Sequence, residues 1–248
     1  MNKKIEAGDV FLTKEGGKVA VVEYRNSRNI DIVYMDENRH RAIVTANTLR
    51  KGKMKNPYHR SVLGVGYVGV GRYRVSNDGK LTDVYRAWGH MLERCYNSEC
   101  QEKRPTYIGC FVCPDWLNFQ AFAEWFHIQP NSDNAAFHLD KDLMMEGNKT
   151  YGPEFCSFVP GSINSLLTDA GAARGRWPMG VSANGKGFQA YLSVGGKRIW
   201  LGTYATPELA FSVYRRAKEA NVKSMAEDWR EYLHDDVYEY LSNFKVKQ

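Results

Sequence analysis

"PMGVSANGKGFQAYLSVGGKRIWLGTYATPELAFSVYRRAKEANV", residues 178–222, decides how the C-terminal part of the chain folds. Three short runs rich in apolar residues are separated by glycine turns, and a run with helical spacing follows. Such runs between Gly and Asn turns read as strands. "TPELA" supplies a helix start, with Thr206 as N-cap and Pro207 at the first helical position, where no N–H is needed. Ala210, Val213, Tyr214 and Ala217 recur on one face of that helix, small residues among them allowing close approach to a sheet. The predicted unit is a three-stranded sheet covered on one side by a helix. Its other side is left with Arg198 and Trp200, and its turns with Lys186 and Lys197. A sheet of this size enters a DNA major groove and presents side chains to base edges. "RGRW", 174–177, places Arg174 and Arg176 just ahead of the first strand, suited to backbone contacts. The tail, 223–248, reads as a mostly polar helix with Trp229, Leu233, Val237 and Leu241 at helical spacing, expected to pack back on this module.

Upstream lies "FHLDKDLMMEGNKTYGPEFCSFVPGSIN", residues 137–164. It reads as strand, turn region, strand and the opening of a helix, the order of a ββα metal finger. In such a finger a carboxylate at the end of the first strand and an amide or imidazole on the helix hold one divalent ion on a phosphate. A neighbouring base activates water. Two predicted helices precede it. In "DVYRAWGHMLERCYN", 83–97, Val84, Trp88, Met91 and Leu92 share a face and Asp83 is the expected N-cap. In "WLNFQAFAEWF", 116–126, Phe119, Phe122, Trp125 and Phe126 do so, with Asp115 as the expected cap; this aromatic stripe reads as core.

Both regions resemble known families. Residues 178–222 resemble the plant ethylene-response-factor (Apetala-two) DNA-binding domain, through "GV…GFQAYL…RIWLGTYATPELAFSVYRRA". The resemblance implies that Arg198 and Trp200 contact double-stranded DNA. Ser182, Asn184 and Ser193 stand where that family often has arginines, and Phe188 where it has a tryptophan, so groove binding is implied but not the plant target. Residues 137–164 resemble the HNH endonuclease motif, through "LDKD…GNK…FCSFVPGSIN". The resemblance implies Asp140 and Asn164, 24 residues apart, as ligands of Mg²⁺ or Mn²⁺. Lys141 falls where that family places its water-activating histidine, and Phe155 where it places the asparagine that orients this base. Three roles for the departure are open, in this order: Lys141 as a cationic phosphate clamp, Lys141 as a desolvated catalytic base, and His138 as the base from two residues upstream on the same strand face. The flanking "AWGHMLERCYN" and "FVCPDWLNFQAFAEWF" extend the resemblance to HNH-like proteins of tailed bacteriophages, and hence to the cytoplasm of an infected bacterial host.

The N-terminal part is a β domain by pattern. "KVAVVEY", "NIDIVYM" and "RAIVTANTLR" read as three strands of a small barrel or meander. "KGKMKNPYHR", 51–60, is basic, and Lys51, Lys53, Lys55 and Arg60 are candidate phosphate contacts. "SVLGVGYVGVGRYRVSNDGK" follows as linker plus hairpin, with Asn77-Asp78-Gly79 as the turn and glycines that would let the backbone approach a phosphate.

The composition fits this reading. At 43% hydrophobic and 25% charged residues the chain has material for cores and is not a disordered polyelectrolyte. Lys and Arg exceed Asp and Glu, 34 against 28, which suits a polyanionic partner if the excess is clustered. No apolar run reaches the roughly 18 residues of a membrane span. The basic start lacks the apolar stretch of a signal peptide. Five cysteines do not make a secreted disulfide framework and indicate a reducing compartment. Cys95, Cys100, Cys110 and Cys113 include one pair at zinc-knuckle spacing, 110 and 113, and a looser one; core thiols are the preferred reading and zinc the other. The expected architecture is α+β and multi-domain: a small β domain over 1–55, a linker and hairpin over 56–82, a ββα-metal domain with flanking helices over 83–172, and a sheet-and-helix DNA-binding domain over 173–248. The expected function is DNA binding with HNH-like endonuclease chemistry of the homing or nicking kind. The alternative is a catalytically inactive DNA-binding regulator or architectural protein.

Overall fold

The computed structural model describes residues 4–141, 143, 145, 147–167, 176–185 and 187–246. The chain is mixed α and β, with several small sheets instead of one large one. It divides into two compact units, Met1–Asn97 with Pro114–Phe122, and Ser98–Cys113 with Ala123–Gln248. These units are drawn differently from the four segments expected above.

In the first unit, β1 (Val10–Leu12), β2 (Lys18–Asn26), β3 (Asn29–Tyr34) and β4 (Arg41–Val44) form an antiparallel meander in chain order. Alternation buries Val19, Val21, Ile30, Ile32 and Tyr34 on one face. The third expected strand, "RAIVTANTLR", ends early. The hydroxyl of Thr45 accepts from the Thr48 N–H and opens a short helix, α1 (Ala46–Arg50), whose Ala46 and Leu49 close the same core. A hairpin follows, β5 (Ser76–Asn77) with β6 (Lys80–Leu81). Asp78 and Gly79 both have positive φ, 49° and 77°, the signature of a two-residue type I′ turn.

Helix α2 (Asp83–Tyr96) is capped one residue earlier than expected, by Thr82 instead of Asp83, because the Thr82 hydroxyl accepts from the Tyr85 N–H. Trp88 on α2 is fully buried, donates its indole N–H to the Trp116 carbonyl at 2.7 Å, and packs its ring on Phe119. The glycine-rich stretch serves this packing. A Cβ at Gly66 would strike Trp88 and Leu92, one at Gly69 the Asn118 side chain, and one at Gly71 the Gln120 side chain. These glycines bring the chain close to protein, not to a phosphate, which corrects the expectation for them. Gln120 fixes the stretch by accepting from the Tyr73 N–H and donating to the Tyr73 carbonyl.

The second unit contains α3 (Ser98–Lys103) and the finger. A short strand, β7 (Phe111–Val112), pairs in parallel with β9 (Thr150–Tyr151), inside what the sequence reads as a turn region. The finger strands are β8 (Phe137–Asp140) and β10 (Ser157–Pro160), antiparallel, followed by α5 (Gly161–Leu167). The aromatic helix α4 (Phe119–Ile128) begins three residues later than its expected run. Its Trp125 and Phe126 rings lie on Phe158 of β10.

The C-terminal sheet is β11 (Val181–Asn184), β12 (Gly187–Val194) and β13 (Lys197–Tyr204), in that order. Helix α6 (Pro207–Asp228) covers it, opened by Thr206, whose hydroxyl accepts from the Leu209 N–H. Ala190, Leu192, Ala210, Phe211 and Tyr214 are the buried contacts between them. Gly180, at φ 72°, leads into β11 with Tyr214 where its Cβ would stand. The tail does not form the single helix expected. α6 runs to Asp228, and after a short 3-10 turn α7 (Asp235–Ser242) follows. Leu233, Val237 and Leu241 join Val222 and Ala226 of α6 in a core with Val159 and Ile163 of the finger. The tail therefore packs on the finger, and only its last residues, Phe244 and Val246, reach the sheet core. Among the described residues no helix is long and apolar enough to cross a membrane.

Candidate nucleic-acid interface and metal finger

The register of the three-stranded sheet determines which side chains leave it together. Residues directly paired across antiparallel strands share a face. Ser182 pairs with Gln189 and Gln189 with Thr203; Tyr191 pairs with Trp200 and Ser193 with Arg198. These residues alternate with the buried Ala190 and Leu192, so they lie on the face away from α6. Asn184, two residues after Ser182, takes the same parity. Of the expected contacts, Arg198, Trp200, Ser182 and Asn184 thus share one face. Lys197 pairs with Val194 and takes the opposite parity, exposed beside the hairpin turn. Gln189, Tyr191 and Thr203 were not singled out from the sequence, although alternation along β12 and β13 carries the signal.

The open face is arranged, not merely exposed. The Arg198 guanidinium lies 3.8 Å from the centroid of the Tyr191 ring. The Tyr191 hydroxyl donates to Gln189 Oε1 at 2.8 Å. Trp200 beside them is 61% exposed, an unusual position for a tryptophan on a sheet. Arg176 sits over the ring of Trp177, which meets Phe188 edge-on; Phe188 belongs to the α6 side of the sheet, so Arg176 is not brought to the open face with Arg198. Lys186 and Arg174 lie outside the described residues.

In the finger, His138 and Asp140 alternate onto one face of β8, and their partners on β10 are Val159 and Ser157. Val159 is buried against Ile163 of α5, so this is the face that the helix covers. The imidazole lies over the first residue of α5: a Cβ at Gly161 would come within 2.9 Å of its Cε1. Gly161 therefore makes room for the ring at the strand–helix junction. Asp140 Oδ1 accepts from the Leu143 N–H at 2.7 Å, which turns the chain as the strand ends. Asn164 is on α5, three residues into the helix from Gly161.

Lys141 follows Asp140, one residue past the end of β8. It is buried, and its ammonium donates to the Asn148 carbonyl at 2.7 Å, with the Tyr151 ring 5.8 Å away. Asn148 answers by donating to the carbonyls of Lys141 and Thr150 while accepting from the Thr150 N–H. This lysine ties the loop that ends in β9.

Asp140 carries a carboxylate, Asn164 an amide and His138 an imidazole, donor types that suit Mg²⁺ or Mn²⁺. Among the described residues no three His, Cys, Asp or Glu side chains gather into a metal-holding group. Magnesium is commonly held by one or two protein ligands, with water and substrate phosphate completing its shell, so a site for it need not contain three such side chains. The cysteines behave otherwise. Cys95, Cys110 and Cys156 are buried, and no three of the candidate zinc ligands come together. Burial pushes the Cys156 thiol up from 9.0 to about 12. Comparison of the chain with protein-family models, with curated proteins and with solved structures returned no match.

Proposed function

We propose that this protein binds double-stranded DNA through the open face of its three-stranded sheet, laid in the major groove. One observation carries the reading: Arg198, Trp200, Ser182 and Asn184, separated in sequence, leave the sheet on one face, with Arg198 held over Tyr191. Arginine suits guanine edges and the flanking polar side chains suit mixed donors and acceptors. The resemblance to the Apetala-two domain supports the same face. A binding selection from random duplexes tests it. Wild-type protein enriches a sequence, and Arg198→Ala weakens that binding about 10-fold or more, the scale of one good base contact. Unchanged affinity and enrichment in Arg198→Ala would remove the groove assignment.

The finger supports a second reading, an HNH-like metal-dependent nicking or homing endonuclease. Its specific observation is the pairing of His138 and Asp140 on one strand face at the junction with α5. Asp140 and Asn164 would hold the divalent ion, which when bound neutralises charge on the scissile phosphate. His138 is then the group placed to take a proton from the attacking water. Lys141 instead has its ammonium engaged by the Asn148 carbonyl, a structural role in this reading. On supercoiled plasmid containing the selected site, with Mg²⁺ or Mn²⁺, nicking should disappear in Asp140→Ala and His138→Ala and survive in Lys141→Gln. Binding without nicking in wild type would leave the DNA-binding regulator as the function.

A further inference from the structure

The chain has 34 Lys and Arg against 28 Asp and Glu. Residues 51–81 hold seven of those cations and one acid, Asp78, so the other 217 residues carry 27 of each sign. The entire net charge of +6 therefore belongs to one 31-residue ribbon of the first unit. It does not lie on the sheet proposed to read DNA.

The ribbon is held in place. Along 51–55 exposed and buried residues alternate, with Lys51, Lys53 and Lys55 outside and Gly52 and Met54 inside. Met54 is 3% exposed within the β-domain core. The Gly52 carbonyl accepts from the Lys14 N–H and the Lys53 N–H donates to the Thr48 carbonyl. The next turn is fastened by Asn56, whose backbone N–H donates to Glu15 and whose side chain donates to Asp36. Glu15 and Asp36 are thus engaged by the ribbon's own backbone and amide. Tyr58 then packs between His40 and Tyr67. Farther along, Gln120 clamps Tyr73, and the type I′ hairpin carries Lys80. All seven cations are exposed. Among the described residues no acidic side chain pairs with Lys51, Lys53, Lys55, Arg60, Arg74 or Lys80.

We infer that the ribbon 51–81 is a second DNA-binding surface, one that takes the phosphate backbone of duplex DNA without regard to sequence. It rests on the reading of the protein as DNA-binding and assigns its parts: the sheet selects bases and the ribbon supplies the electrostatic attachment. Lysines on a fixed backbone with no acidic partner retain their charge for phosphate. Each phosphate they neutralise releases counterions and steepens the salt dependence of binding.

The test is fluorescence anisotropy of the full chain on two unrelated duplexes, one containing the selected site, across a salt titration. The variants are Lys51→Gln/Lys53→Gln/Lys55→Gln/Arg60→Gln, the same three lysines changed to arginine, and Arg198→Ala/Trp200→Ala. The quadruple variant should lose about 3–4 from the slope of log affinity against log salt, at roughly 0.9 per phosphate contact, equally on both duplexes. The arginine variant should keep the wild-type slope, which excludes misfolding as the cause. The sheet variant should lose discrimination between duplexes and keep most of the slope. A quadruple variant with wild-type slope and affinity overturns the inference, and the sheet reading survives if Arg198→Ala/Trp200→Ala still weakens binding. If the quadruple variant loses binding while the sheet variant is unaffected, the ribbon stands and the groove assignment falls. Lysine-dependent binding to phosphatidylserine vesicles with none to either duplex overturns the assignment of the partner.

Discussion

Lys141 and Asn148 exchange hydrogen bonds across the finger loop: the lysine ammonium donates to the asparagine carbonyl at 2.7 Å, and the asparagine amide donates to the lysine carbonyl at 2.6 Å. A residue at the position of a catalytic base is thereby part of the loop's structure. The buried ammonium is satisfied by a carbonyl of the partly buried asparagine, where water has little access.

Lys141→Met keeps the aliphatic stem and removes the donor, leaving a carbonyl unsatisfied. Stability should fall by about 1–3 kcal/mol, measured by urea unfolding, with DNA affinity retained. Asn148→Ala should cost a similar amount, and the double variant less than the sum, because one network is being removed twice.

Arg198 depends on the ring beneath it. Tyr191→Leu should lower DNA affinity about 2- to 5-fold, the scale of an exposed cation–π contact of roughly 0.5–1 kcal/mol. Tyr191→Phe keeps the ring and should restore most of that affinity. Equal losses in both variants would assign the effect to the Tyr191–Gln189 hydrogen bond instead.

Two glycines should respond with opposite sign. Gly180→Ala forces a left-handed backbone on an L-residue and drives a methyl into Tyr214, an expected loss of about 2–4 kcal/mol. Gly89 is inside α2, and a Cβ there meets nothing within 4 Å. Gly89→Ala should therefore stabilise by about 0.5–1 kcal/mol, through helix propensity and a less flexible unfolded chain. Thermal unfolding followed by circular dichroism distinguishes the two.

Alkaline stability should depend on Cys156. Its thiol ionises near 9.0 when unfolded and near 12 when folded, because burial disfavours the thiolate. Between those values the folded chain holds a proton that the unfolded chain has lost, so stability falls as pH rises through this window. Tyr34, pushed by burial from 10.0 to about 12, acts in the same direction over the upper part. Cys156→Ala should flatten the decline of unfolding free energy above pH 9. An unchanged slope would mean that the folded thiol ionises normally.

Features set by neighbours in the chain were legible from the sequence. Thr206 and Pro207 start α6, Asp78-Gly79 makes the type I′ turn, and apolar alternation marks the strands, because caps, turns and pleats depend on residues a few positions apart. The strand–strand–helix order of 137–167 was legible for the same reason. Tertiary structure decided what depends on distant partners. The apolar face of α7 could have met either core, and the presence of Val159 and Ile163 placed it on the finger. Gly66, Gly69 and Gly71 read as freedom in the sequence and prove to be close contact with Trp88, Asn118 and Gln120. The sequence alone placed Lys141 next to Asp140; only the folded loop, with Lys141 one residue past the end of β8, brought its ammonium to the Asn148 carbonyl, because a buried ammonium needs an acceptor.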